Sequence, residues 1–308
     1  MSKRTTRFPR VTVCGLPCRQ TSVTLAALLR AGVPVTGLVL ARRSDRARSP
    51  GIAVPAAPWS DDPAAVAQRS NIPVVVLESK HDLEVLSADA LPAAECAVVS
   101  CFPWKLPARL IERYPLGMFN LHPSPLPEYP GPAPLFWQYR DGRLRTGVTI
   151  HQVTEDLDAG PVVGRVVCTL PLAFPGDRLE AWLAWYGCGL LIAHWQATPH
   201  ERMMEQPNTQ SSWARVPGTA DRTIDVSWPA WQVVHFLGGV LPLGYELFIT
   251  DRSDQLWRIW RFLAWTAEPL VPEYDGRRLS ILFGRSWITV EATVVHPPDR
   301  VLRNTLRQ

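Results

Sequence analysis

The run of short apolar and helical segments between residues 10 and 122 constrains the fold more than any other feature of this chain. Residues 10–16 are apolar enough for a strand, and 21–30 place Leu25, Ala26, Ala27, Leu28 and Leu29 at helical spacing. Residues 33–40 are apolar again. A strand, a helix and a second strand this close together predict a right-handed crossover and two parallel strands. Further strand-like runs follow at 73–77, 96–101 and 117–121, with helical stretches near 82–91 and 106–113 between them. The alternation predicts a doubly wound α/β domain whose sheet is mostly parallel and covered on both faces. Residues 41–72, rich in Arg, Ser, Ala and Pro, read as a long excursion holding one short helix.

Ligands of open α/β sheets bind beyond the carboxyl ends of the strands. One such end is polar here. A strand ending at 118–122 points Asn120 and His122 to the same side, because side chains alternate along a strand. The run Pro123-Ser124-Pro125-Leu126-Pro127 then stops the strand and stiffens the loop. After a helical turn or two at 134–140, strands are predicted at 146–153 and, antiparallel to it, 162–170. The loop Thr154-Glu155-Asp156-Leu157-Asp158-Ala159-Gly160 joins them. A long helix over 176–196 follows.

Asn120, His122 and Asp158 together suit the attack of an amine on a formyl group. Carboxamide and imidazole N–H groups donate to the oxygen that gains negative charge. A carboxylate holds the histidine in a useful tautomer and takes up the proton the amine loses. Each residue alone is ordinary: a strand-end Asn or His bonds its own loop, and Asp before Ala-Gly is a turn residue. Only the joint pattern points to acyl transfer.

The 308 residues suffice for one large domain or two unequal ones. The net charge of +4 is too mild to argue for a broad nucleic-acid surface. The six cysteines, 14, 18, 96, 101, 168 and 188, form no second pair at a zinc-site spacing, so free thiols in a reducing cytoplasm are expected. No apolar run approaches the ~20 residues of a membrane span, and no targeting segment stands out at the N-terminus. The expectation is a cytoplasmic protein with no membrane contact, with monomer and homodimer both open. The polar stretch 201–222 reads as a linker. It is followed by a helix at 228–237 and short alternating segments at 245–250, 256–263, 279–283 and 287–294, as a small β-barrel needs. The domain expectation is therefore 8–200, a linker at 201–222, and a β-rich domain at 223–308. Of the 13 tryptophans, most are expected in core packing, with nucleobase stacking as the second reading.

The motif Gly117-Met118-Phe119-Asn120-Leu121-His122-Pro123-Ser124-Pro125-Leu126-Pro127-Glu128-Tyr129-Pro130-Gly131 resembles the folate-dependent formyltransferase family. So do Thr146-Gly147-Val148-Thr149-Ile150-His151 and Asp156-Leu157-Asp158-Ala159-Gly160-Pro161, and the resemblance spans roughly residues 8 to 200. It implies a Rossmann-like domain, 10-formyltetrahydrofolate as donor and no metal. By motif position, Asn120 and His122 stabilise the tetrahedral intermediate, and Asp158 pairs with His122 and assists proton transfer. Ser124, Pro125, Leu126 and Pro127 match the family's folate-contacting turn. Phe102, Trp104, Lys105 and Leu106 occupy the place of the loop that lines the pterin pocket, where Trp104 either stacks on the pterin or fills the wall. Thr154, Glu155 and Asp156 surround the pterin through backbone groups.

For the acceptor, residues 223–308 are faintly similar to the small OB-like barrel of methionyl-tRNA formyltransferases. Arg42, Arg43, Arg46 and Arg48 sit where those enzymes carry a basic loop that enters the tRNA; the same run also reads as a solvated loop. Three departures count against tRNA. The loop has no lysine cluster, Pro130-Gly131-Pro132 replaces an Arg-Gly-Ala, and Gly238-Gly239 stands where an arginine is expected. The alternatives are an amino sugar or other small amine as acceptor, or hydrolysis of the formyl-folate.

Overall fold

The computed structural model describes residues 8–42, 62–87, 90–197, 203–207, 213–271 and 274–295. Arg43, Arg46 and Arg48 lie outside the described residues. By internal contacts the chain divides into two compact units. The first comprises Met1–Pro132, Thr146–Cys168 and Glu180–Trp213, and the second Ala133–Arg145, Thr169–Leu179 and Ala214–Gln308.

The first unit holds a seven-stranded sheet in the order β3-β2-β1-β4-β5-β6-β7. Its strands are β1 (Val11–Gly15), β2 (Val35–Ala41), β3 (Val74–Leu77), β4 (Cys96–Ser100), β5 (Met118–His122), β6 (Arg145–Gln152) and β7 (Val162–Thr169). Strands β3 to β5 pair parallel, as the crossovers dictate, and β5 pairs antiparallel with β6. β1 and β4 are buried at every position, which is why they read as continuous apolar runs. Helix α1 (Arg19–Arg30) packs on β1, β2 and β4. Helices α2 (Pro63–Arg69), α3 (Lys80–Val85) and α4 (Ala108–Ile111) complete the crossovers. α3 begins at a capping box, Ser79 with Asp82, and ends at Val85, well short of the 91 expected. Cys14, Val39, Leu77, Leu83, Val99 and Met118 are among the buried residues of the core between sheet and helices.

The second unit contains helix α5 (Pro134–Arg140), helix α7 (Ala230–Val240) and a second sheet, and the long helix α6 (Gly176–Gln196) begins in it. Residues expected as a small barrel form five strands in the order β11-β12-β10-β9-β8. They are β8 (Thr223–Ile224), β9 (Leu247–Thr250), β10 (Leu256–Thr266), β11 (Arg278–Phe283) and β12 (Ser286–Val294). β8 and β9 pair parallel, and the other pairings are antiparallel. α5 packs against α7, and the closeness of that contact explains one departure from the family pattern. A Cβ on Gly239 would lie 2.2 Å from the Tyr139 ring, so the position cannot carry the arginine expected there.

The tryptophans differ from expectation. Among those described, only Trp257 is buried, whereas Trp182, Trp185, Trp213, Trp231 and Trp265 are exposed. Several instead stack with arginine: Arg215 lies over Trp137 and Arg140 over Trp228, with Arg215 also held by both oxygens of Asp221. A large ring with one N–H packs well at half depth, which apolar counting along the sequence does not reveal.

Candidate active site

β5 ends in Asn120 and His122, and β6 runs antiparallel beside it with Asn120 opposite His151 and His122 opposite Thr149. Directly opposed residues on an antiparallel pair bring their side chains together. Four polar groups from two strands therefore meet at one sheet position. Asp158 reaches them from the loop between β6 and β7, in a left-handed backbone conformation (φ 55°) that Asp tolerates better than most residues. The three residues singled out in the sequence do converge, and His151 joins them.

The Asp158 carboxylate is the hub. Its Oδ2 accepts a 2.8 Å hydrogen bond from the Gly131 N–H, and its Oδ1 accepts one of 3.3 Å from the Asn120 carboxamide. Oδ1 also lies 3.4 Å from His151 Nε2 and 3.6 Å from His122 Nδ1. His122, His151 and Asp158 are 4, 2 and 9% exposed, while Asn120 is half-buried, so a substrate meets Asn120 first.

The hydrogen-bond network assigns the ring protons. His122 Nε2 donates to the Tyr129 carbonyl at 2.8 Å, and His151 Nδ1 donates to the Gln152 carbonyl at 3.0 Å. Asn120 Nδ2, 3.1 Å from His151 Nε2, donates to it. This differs from the role that the family resemblance implies for His122. With Nε2 on Tyr129, the ring presents only Nδ1 to the carboxylate and offers no free donor to a substrate oxygen.

Burial pushes the His122 imidazole below its ordinary value, against the pull of Asp158 and the Tyr129 carbonyl. Burial alone would raise Asp158. The close imidazoles of His122 and His151 and the hydrogen bond from the Gly131 N–H outweigh it and hold the carboxyl well below the usual carboxylate range. Both shifts have the same consequence for stability. Each group binds its proton more readily in the unfolded chain, so each contributes stability that is lost as pH falls. For His122 the loss begins near its unfolded value of ~6.5, and for Asp158 near ~3.9. Urea unfolding at pH 7 and pH 5 should show the protein less stable at pH 5. His122→Gln should shrink that difference; an unchanged slope would contradict the assignment.

The loop carrying Asp158 is clamped at its base. Gln206 Nε2 donates to the carbonyls of Asp158 and Gly160, both at 2.8 Å. Met204 pairs with Val162 at the start of β7. Both residues fall in the stretch expected as a linker. A lone Gln in a polar run gives no signal of such a role. His151 did have a signal, since it shares a strand face with Thr149 inside a motif already singled out.

The expected donor-contacting residues are more varied. Ser124 and Leu126 are buried and bonded internally: the Ser124 hydroxyl donates to the Glu128 carbonyl at 2.6 Å, and the Leu126 N–H donates to Thr149 Oγ1 at 3.0 Å. Arg165 donates to the Leu126 carbonyl. Pro125 is buried, and Pro127 is half-buried after a cis peptide bond. Leu106 belongs to the core of the first unit, while Phe102 and Trp104 are half-buried, edge to face 5.8 Å apart. Lys105, Thr154, Glu155 and Asp156 are exposed. Arg42, at the end of β2, is exposed and pairs with Glu78 at 3.1 Å. Among the described residues, no three His, Cys, Asp or Glu gather as a metal site, and no helix is long and apolar enough to cross a membrane.

The fold and the polar cluster at the end of β5 define an α/β protein with a candidate ligand site at the carboxyl edge of its sheet. Comparison with known proteins makes this more specific. A family model described as formyl transferase matches residues 30–179. The methionyl-tRNA formyltransferase of Syntrophus aciditrophicus (strain SB) is 33% identical over 256 residues, covering 82% of this chain and 78% of that protein. That of Pseudothermotoga lettingae is 28% identical over 201 residues, 65% of this chain; there the chain spans less than two thirds (63%) of the relative's length. Among solved structures, an N-formyltransferase from Helicobacter canadensis, in complex with folinic acid and dTDP-3-aminofucose, shares the fold with a TM-score of 0.62. The identity is 12%, and the match covers 92% of this chain and 99% of that one. The chain belongs to the folate-dependent formyltransferase family.

Proposed function

We propose that this protein transfers a formyl group from 10-formyltetrahydrofolate to an amine, with the α-amino group of an initiator methionyl-tRNA as the acceptor. The observation that carries the chemistry is the position of Asn120, half-buried in front of the Asp158 carboxylate that His122 and His151 flank. As the amine attacks, charge grows on the formyl oxygen. The Asn120 carboxamide donates to it, exchanging its long 3.3 Å contact with Asp158 for the substrate oxygen. Asp158 takes up the proton lost by the amine. His122 Nδ1 faces that carboxylate and shares the proton, while Tyr129 keeps the ring in place.

Collapse of the tetrahedral intermediate then breaks the bond between the formyl carbon and N10 of the folate, and tetrahydrofolate leaves with N10 carrying the proton that the amine gave up. The half-buried rings of Phe102 and Trp104 and the exposed residues Thr154–Asp156 suit the lining of a flat heterocycle. The acceptor rests on the relatives named above and on the sequence-level likeness of residues 223–308 to an OB-like barrel, a reading compatible with the five strands of the second unit. An amino sugar is the second reading, favoured by Pro130-Gly131-Pro132. A cytoplasmic location goes with the tRNA reading.

An acceptor screen tests this directly. With labelled 10-formyltetrahydrofolate, label is expected on methionyl-tRNA and not on amino-sugar nucleotides or in free formate. Label on the sugar would move the acceptor, and label in formate would make the enzyme a hydrolase. If tRNA is the acceptor, replacing Arg42, Arg43, Arg46 and Arg48 with Ala raises its KM and flattens the salt dependence. An unchanged KM would remove that loop from the tRNA contact.

A further inference from the structure

Two cysteines that the formyl-transfer reading does not use stand together at the carboxyl edge of the first sheet. β1 and β4 are adjacent parallel strands, with Gly15 in register with Ser100. Cys18 follows β1 as the N-cap of α1, and Cys101 is the first residue after β4. Thr21 ties the two ends together. Its hydroxyl donates to the Ser100 carbonyl at 3.0 Å and lies 3.5 Å from the Cys18 sulfur. The ends of β1 and β4 thus bring Cys18 and Cys101 to the same stretch of the sheet edge, and both residues are half-buried.

The other cysteines are unlike these two. Burial pushes Cys14, Cys96 and Cys188 up to about 12 and raises Cys168 as well. Cys18 is drawn down to about 6 by the hydrogen bond from Cys101, against burial, with further help from Thr21 and the Gln20 N–H at the start of α1. A thiolate beside a second thiol is the arrangement of a peroxide-sensitive dithiol. The edge is also tied to the candidate active site, since Gln20 Nε2 donates to the Leu121 carbonyl at 3.0 Å, between Asn120 and His122.

We propose that Cys18 and Cys101 are a reversible oxidation site, closed to a disulfide by hydrogen peroxide and reopened by a dithiol reductant. The Cys18 thiolate attacks a peroxide oxygen; the O–O bond breaks, the sulfur becomes a sulfenic acid, and the hydroxide released takes up a proton as water. The Cys101 thiolate then attacks that sulfur. The S–O bond breaks, a second water leaves and the S–S bond forms. Two thiols and one peroxide thus give one disulfide and two waters. Reduction returns both thiols and leaves the dithiol reductant as its disulfide. The inference goes beyond the proposed formyl transfer and does not depend on it.

The test is peptide mass spectrometry of the full-length protein after peroxide treatment and alkylation. The expected result is a single crosslinked pair of peptides containing Cys18 and Cys101, about 2 Da lighter than their sum, and lost on reduction with dithiothreitol. Before oxidation, iodoacetamide should label Cys18 about tenfold faster at pH 7 than Cys168. In Cys101→Ser, peroxide should leave a Cys18 sulfenic acid that dimedone traps, and the pH midpoint of Cys18 alkylation should rise. Circular dichroism checks that the variant folds. Separate, fully alkylated Cys18 and Cys101 peptides after peroxide would overturn the proposal. So would a crosslink to any other cysteine.

Discussion

Asp158→Asn is expected to lower turnover by about a hundredfold or more while the protein stays folded. Asn has nearly the same shape, so its carbonyl oxygen keeps the 2.8 Å bond from the Gly131 N–H. Its amide takes the place of Oδ1 and donates to the lone pair of His122 Nδ1, 3.6 Å away, while the 3.3 Å bond from the Asn120 carboxamide is lost. The 2.8 Å bond to the Gly131 N–H and the contact with His122 survive, which protects the fold. What disappears is the negative charge, and with it the only group of the cluster that accepts the amine's proton as an anion. The change should fall on kcat more than on KM, because the carboxylate lies behind Asn120. Turnover within a fewfold of wild type, with a normal melting temperature, would remove Asp158 from the chemistry.

Gly160→Ala is expected to cost about 2–4 kcal/mol of stability and most of the activity. A Cβ at this position would sit 1.9 Å from the Gln152 carbonyl oxygen and 3.0 Å from its carbon. The obstacle is backbone, and Gln152 is fixed because its N–H donates to the Pro161 carbonyl at 2.8 Å at the base of the same loop. The two chains at the base must part. That shifts Asp158 two residues away and strains the Gln206 bonds to Asp158 and Gly160. Urea unfolding together with a steady-state assay checks both effects. A variant as stable and as active as wild type would show that the loop base has slack that the packing denies.

Locally periodic segments were the legible part of this molecule. The 134–140 and 176–196 helices carry their own pattern, and β1 and β4 are continuous apolar runs because both sheet faces are covered. Asn120, His122 and Asp158 were legible because motif spacing is preserved in the sequence. Long-range register was not. Nothing near Asn120 says that His151 will stand opposite it across an antiparallel pair, and nothing near Gln206 says that it clamps a loop more than forty positions earlier. The grouping of α5 with α7 was hidden in the same way, since Gly239 reads as a poor helix former until the Tyr139 ring is seen against it. His122 shows the subtler limit: a motif assigns a residue to the site, but only the Tyr129 carbonyl reveals which ring nitrogen is engaged.

The measurement closest to the central claim is a formyl balance. Wild-type protein is given 10-formyltetrahydrofolate and methionyl-tRNA, and tetrahydrofolate and N-formylated amine are counted in the same reaction. Equal amounts of the two products are expected, with both falling about a hundredfold in Asp158→Asn. Tetrahydrofolate formed with free formate and no formylated amine, or equal yields from wild type and Asp158→Asn, would contradict the account.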